Sequence, residues 1–300
     1  MPNSRTKKGS GKSSTDHEHV EEVSLTCACD RDITLSELKK IYSGQRNKKI
    51  VEEFLLHINT MLKTYGISSC IKKAHFLSQV GHESGQLSFL EEGVDEKYEK
   101  EKYGGYKGRG LIQLTFKETY QKYGDYKGVD FLGENRVKVA SKEYAADSAG
   151  WFWTQFKHLD LSDYAEKNDF IFITQKINGA FNGWDDRLSI LNRAFASLLV
   201  DNCPKQDLCY STDFQLQNSA AFQSVLSSFA WGYWFDPKSP ASKVKHVTRD
   251  VDRAKAGYAR FKEIAGPTKI GKKEKRGNFG FKTYQSMLDH AQNRLVELEK

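Results

Sequence analysis

The chain has 300 residues, 38% of them apolar and 28% charged, a balance that fits a globular protein with a real core. Its formal net charge of +7 favours a polyanionic partner: nucleic acid, a membrane surface or an anionic cell wall. No run of about 18 apolar residues exists, so no membrane-spanning helix is expected, and "MPNSRTKKGSGKSSTDHEHVEEV" lacks the apolar stretch of a secretory signal.

Residues 1–24 are Ser, Gly, Lys and acidic residues with little to bury, and they read as a disordered basic, polar tail. Order is predicted to begin at "ITLSELKKIY", where Thr34 and Glu37 have the spacing of a capping box. In "RNKKIVEEFLLHINTMLKTYG", Ile50, Phe54, Leu55, Ile58 and Leu62 recur at helical spacing until Gly66. "SCIKKAHFLSQVGHES" is a further helix. From Gly85 to Gly110 the pattern becomes irregular and acidic, as in a loop or short hairpin. "RGLIQLTF" reads as a turn into a helix at "KETYQKYG". "SKEYAADSAGWFWTQF", "DFIFITQKING" and "NGWDDRLSILNRAFASLLV" are helical in turn, with Trp151 and Trp153 expected in the core. Beyond a polar stretch at 201–210 come three more helical patterns, the last two joined by the basic linker "PTKIGKKEKRGNFG". Strand patterning is nearly absent, so the class is mainly α. The organisation expected is a tail over 1–24, a main domain over 25–200 and a helical C-terminal lobe over 201–300.

Five cysteines, at 27, 29, 70, 203 and 209, show no C-x-x-C spacing. Free thiols are the default, with a Cys203–Cys209 disulfide open in an oxidising compartment. No metal and no cofactor is expected.

The chemistry concentrates around "GHESG", which puts Glu83 at the end of a helix, a place that suits a proton donor. Glu92 follows nine residues later, Thr115 lies in "YKGRGLIQLT", and Asn178 and Arg187 lie in "KINGAFNGWDDR". Two carboxylates across a turn-rich connection, with hydroxyl and amide groups, are the means of glycoside hydrolysis: one protonates the leaving oxygen and one activates water. Several of these residues have a plainer reading. His82 either orients Glu83 or is simply packed or solvated. Arg109 either reaches the substrate or pairs with an acid. Tyr106 either stacks on a sugar ring or is merely exposed. Thr115 has the capping-box spacing of "TFKE", and Arg187 is otherwise a surface partner of Asp185 or Asp186.

The motifs "AHFLSQVGHESG", "YKGRGLIQLT", "GWFW" and "INGAFNGWDDR", in that order over roughly residues 70–195, resemble the family 19 glycoside hydrolases, the chitinases and related endolysins. The resemblance implies a bilobal, lysozyme-like fold with a sugar cleft and an inverting mechanism. By motif it makes Glu83 the general acid and has Thr115 hold the attacking water. It also has Gln113, Asn178 and Arg187 bind sugar or brace the carboxylates. The endolysin-like members place a second acid soon after the first, and Glu92 fits that spacing, with Glu91, Glu96 and Glu99 as competitors. The basic charge favours peptidoglycan over chitin. The expected setting is the periplasm or cell wall, reached without a signal peptide by lysis or a contractile (type VI) secretion machine, with an immunity protein or machine component as partner. A lytic transglycosylase and a non-catalytic wall-binding protein are the other readings; no motif supports nucleic acid.

Overall fold

The computed structural model describes residues 26–205, 210–240, 248–265 and 278–300. The expected tail, Cys209 and most of the basic linker lie outside them. The mainly α class read from the sequence is the class observed. Among the described residues are twelve α-helices, and in place of strands there are only the isolated bridges Glu91–Arg109 and Arg109–Leu114.

Helix α1 (Leu35–Ile41) opens on the expected capping box: the Glu37 amide donates to Thr34 Oγ1 at 3.2 Å, and Glu37 Oε2 accepts from the Thr34 amide at 2.8 Å. Helix α2 (Lys48–Thr64) turns its Val51, Phe54, Ile58 and Leu62 inward. Helix α3 (Cys70–Glu83), capped by Ser69, has eleven of fourteen residues buried, which makes it the central helix rather than an amphipathic one. Helices α6 (Lys142–Gln155), α7 (Ser162–Glu166), α8 (Phe170–Asn178) and α9 (Trp184–Ser197) surround it, with α9 packed along α3 and α6 along α2. Trp151 and Trp153 are buried as expected; Trp153 stands edge-on to Phe76 with ring centres 5.4 Å apart.

Helices α4 (Glu96–Tyr103) and α5 (Lys117–Lys127) flank the irregular segment. The sequence pattern leaves α4 inside a loop, and the structure corrects this. Asp95 caps it, and its one buried residue is Glu99, so an ion pair rather than an apolar stripe fastens it to the core. Thr115 does not cap α5: the residue before the helix is Phe116, at φ 72°, with no side-chain cap bond.

Helices α10 (Val225–Phe235), α11 (Val251–Ala265) and α12 (Tyr284–Leu298) form a second hydrophobic cluster around Phe229, Tyr258, Phe261 and Met287. The other face of α10 enters the main core, where Trp231 meets Trp184 and Phe181 at ring distances of 5.1 and 5.0 Å. Helices α10 and α11 cross at two glycines: a Cβ on Gly257 would lie 2.2 Å from the Gly232 nitrogen. The cysteines show no disulfide among the described residues, as the default expectation has it. Cys203 lies beside Cys27, Cys29 and Cys70, all four buried, while Cys209, the other half of the open pairing, lies outside the described residues.

Candidate active site

Glu83 is the last residue of α3, and its position is fixed from both sides. Behind it the chain turns through Gly85, Gln86 and Leu87 at φ 55°, 54° and 73°, a left-handed run that only the glycine adopts cheaply. Gln45 holds this turn, its Nε2 donating to the Gln86 carbonyl at 2.7 Å and to Ser88 Oγ at 2.8 Å. In front, Arg187 of α9 donates from Nη2 to Glu83 Oε1, from Nη1 to Gln79 Oε1 at 2.7 Å and from Nε to the Asn182 carbonyl at 3.1 Å. Arg187 is fully buried and Glu83 is 19% exposed, so the guanidinium supports the carboxylate from the protein side. Oε2 of Glu83 makes no hydrogen bond among the described residues and is left to meet a ligand.

This corrects the surface reading of Arg187. Asp186 instead bonds His82 Nδ1 at 2.7 Å, which holds the Asp186 carboxyl below its ordinary range, and the Asp185 carboxylate accepts from the Thr248 amide at 2.8 Å. His82 therefore faces Asp186, not Glu83. Asn178, the last residue of α8, accepts from the Asn182 amide at 3.1 Å. The turn 179–183 thus ties Asn178 and Arg187 together through the Asn182 backbone. Gly179 and Gly183 supply the turn's left-handed residues, at φ 80° and 74°.

The second group belongs to the irregular segment. The Gly110 amide donates to the Leu90 carbonyl at 2.9 Å and the Glu92 amide to the Gly108 carbonyl at 2.8 Å, which lays 90–92 against 108–110. Glu92 is half-buried; its Oε1 accepts from the Tyr103 hydroxyl at 2.8 Å and its Oε2 from the Gly108 amide at 3.4 Å. Gln113, at φ 56°, donates from Nε2 to the Gly110 carbonyl at 2.8 Å, and Thr115 Oγ1 donates to the Gln113 carbonyl at 2.9 Å. Gln113 and Thr115 are both partly exposed. Gln86, Leu87, Gln113 and Phe116 are non-glycine residues at positive φ, four of the ten such among the described residues.

Two expected substrate contacts are not of that kind. Arg109 is 2% exposed and donates to Glu99 Oε1 at 2.9 Å, to Glu91 Oε2 at 3.3 Å and to the Tyr120 hydroxyl at 3.3 Å. Burial works to raise the Glu99 carboxyl, yet the Arg109 and Lys107 contacts outweigh it and hold the group below its ordinary range. This pairing withdraws Glu99 from the list of candidate bases. Tyr106 is buried, edge-on to Tyr120 at 5.3 Å, and its hydroxyl accepts from the Gly133 amide at 3.1 Å. The exposed rings nearby are Phe89, Tyr98 and Phe116, with Tyr103 between the last two at 6.1 and 5.7 Å.

Sequence reasoning missed Gln79, Asn182 and Tyr103. For Arg187 a signal exists: Trp184, Arg187, Leu191 and Ala194 share a helical face, and an arginine on an apolar face needs a buried partner.

No family model matches the chain. It is 26% identical over 186 residues to a glycosyl hydrolase family 19 domain-containing protein of Haemophilus influenzae, spanning 48% of this chain and 88% of the relative. It is 31% identical over 113 residues to an endochitinase of Arabidopsis thaliana, covering 35% of this chain and 38% of that relative, well under half its length. Among solved structures, chitinase C from Streptomyces griseus superposes with a TM-score of 0.47 at 17% identity over 60% of this chain and 80% of that one. By sequence, the chain is similar to proteins named for glycosyl hydrolase family 19 and for endochitinase activity.

Proposed function

We propose that this protein cleaves β-1,4 bonds of peptidoglycan by two-carboxylate, inverting hydrolysis. The observation that carries the reading is Glu83, partly exposed at the end of the central helix, with one oxygen held by buried Arg187 and the other open. Glu83 protonates the leaving oxygen. Glu92, held by the neutral donors Tyr103 and Gly108, takes the proton of the attacking water, which the Thr115 hydroxyl helps to position. Phe89, Tyr98 and Phe116 offer exposed ring faces for sugar stacking, the part the sequence gives to Tyr106.

The net charge of +7 supports an anionic wall polymer over neutral chitin. Chitin is the second reading, supported by the relatives named endochitinase. A bacteriolytic role places the action in the periplasm or wall, after lysis or delivery by a contractile secretion machine, with an immunity protein as the natural partner. Purified peptidoglycan and chitin digested side by side, with product ends identified by mass spectrometry, test the proposal. Reducing ends from peptidoglycan support it. Products from chitin alone move the substrate, 1,6-anhydro ends replace hydrolysis by transglycosylation, and no product from either leaves a binding protein. Glu83→Gln should lower turnover 10²-fold or more while the chain stays folded.

A further inference from the structure

Cys27 and Cys29 lie before α1, Cys70 opens α3, and Cys203 follows α9, so three distant parts of the chain bring four buried thiols to one point. Their sulfurs all lie within 4.8 Å of one another, and Cys29 and Cys203 are 3.4 Å apart. We propose that these four cysteines bind one zinc ion as a tetrathiolate that fastens the N-terminal segment and the end of α9 to the central helix.

The geometry fits a single ion. Four sulfurs at about 2.3 Å from a tetrahedral zinc stand about 3.8 Å apart, and the observed cluster needs only small adjustments to reach that spacing. An iron–sulfur cluster would hold its thiolates further apart.

The surroundings fit as well. The Cys70 amide, in the first turn of α3, points at Cys29 Sγ at 3.1 Å, the kind of outer contact that steadies a metal-bound thiolate. A tetrathiolate around a divalent ion carries net negative charge, and two cations line the segment that bears it. Buried Lys73 donates from Nζ to the Ala28 and Arg31 carbonyls at 2.6 Å each, and Arg31 Nε donates to the Cys27 carbonyl at 3.2 Å.

Backbone bonds set the three segments in place without help from sulfur: the Ala28 amide to the Leu198 carbonyl and the Asp30 amide to the Ser68 carbonyl, both at 3.0 Å. Cys70 and Glu83 are opposite ends of α3, about 20 Å apart at 1.5 Å per residue. The ion is therefore structural and takes no part in the hydrolysis.

The full chain, purified in reducing buffer without chelator, should contain about one zinc per molecule by elemental analysis, as binding coupled to folding requires. Titrating the thiols with a mercurial should release that zinc in step, and a strong chelator should lower the melting temperature. Cys203→Ser should retain less than about a tenth of the metal. Because that variant risks misfolding, cobalt exchange into the unaltered chain gives a second readout: the visible bands of a tetrahedral cobalt thiolate support the site. Reduced, folded protein that takes up no zinc overturns the proposal. So does a mass deficit matching two disulfides in the reduced preparation, or an octahedral cobalt spectrum.

Discussion

Arg187 donates from all three guanidinium nitrogens, to Asn182, Gln79 and Glu83, in a setting with no solvent to replace a lost partner. Arg187→Lys keeps the charge but cannot span three acceptors in one plane. It should lower turnover at least tenfold and cost about 1–3 kcal/mol of stability, the penalty for a buried acceptor left unsatisfied. Urea unfolding beside a wall-lysis assay checks both; wild-type values in each would remove the arginine from the site. Glu91 and Glu92 are neighbours with opposite partners. Glu91 pairs with Arg109 and Lys107, whereas Glu92 meets only a hydroxyl and an amide. Glu92→Gln should therefore be nearly as damaging as Glu83→Gln, and Glu91→Gln mild; the reverse ranking in initial rates would transfer the base to Glu91. At this scale the motif residues were legible because their chemistry is local to short stretches. Burial was not. Tyr106 and Arg109 look like groove residues in "YGGYKGRG", yet their contacts are Gly133, Tyr120 and Glu99, which only the folded chain brings near.

The helices show a similar division. Most were readable from apolar residues at helical spacing and from punctuation, the buried central α3 as well as striped helices such as α2, α9 and α11. Helix α4, "EKYEKEKY", has no such stripe, and its attachment is the Glu99–Arg109 ion pair, a partner no periodicity reveals. The junction of α3 with α9 depends on Gly183. It precedes α9 at φ 74°, and a Cβ there would lie 2.1 Å from the His82 ring. Gly183→Ala adds left-handed strain to that collision, so either the His82 ring leaves Asp186 or the first turn of α9, which carries Arg187, shifts. The expected cost is about 1–3 kcal/mol, with activity falling more than stability because the shift moves the group that holds Glu83. Gly179→Ala, at φ 80° with nothing within 4 Å of the added carbon, isolates the strain alone and should leave activity closer to wild type. Equal losses in the two variants, measured by thermal unfolding and lysis rate, would show that the His82 contact does not matter.

Across the whole molecule, the central helix also carries the group that sets how stability responds to mild acid. His75, in α3, lies between Phe170 of α8 and Phe195 of α9 with no exposed surface. Its Nε2 meets Asn168 Oδ1 at 2.9 Å, and its Nδ1 has no hydrogen-bond partner. This is the pattern of a neutral ring, and burial pushes its pKa down to about 4. An unfolded histidine titrates near 6.5. Below that value the unfolded chain takes up a proton that the folded chain refuses, so stability falls with pH from about 6.5 until about 4. Burial depresses His290 in the second cluster as well, and its effect has the same sign. The carboxylates act lower. Burial tends to raise Asp236, but Arg294 and the Lys238 amide outweigh it, and Glu99 is likewise held down. Their contributions are complete above the ordinary carboxylate range and fade only as pH drops through the lowered values. Between pH 7 and pH 5, His75 should therefore cost on the order of 2 kcal/mol. His75→Gln keeps an N–H for Asn168 without a group that titrates in this window, so urea unfolding at the two pH values should show most of that loss removed. A variant that loses as much stability as the unaltered chain would place the acid sensitivity elsewhere.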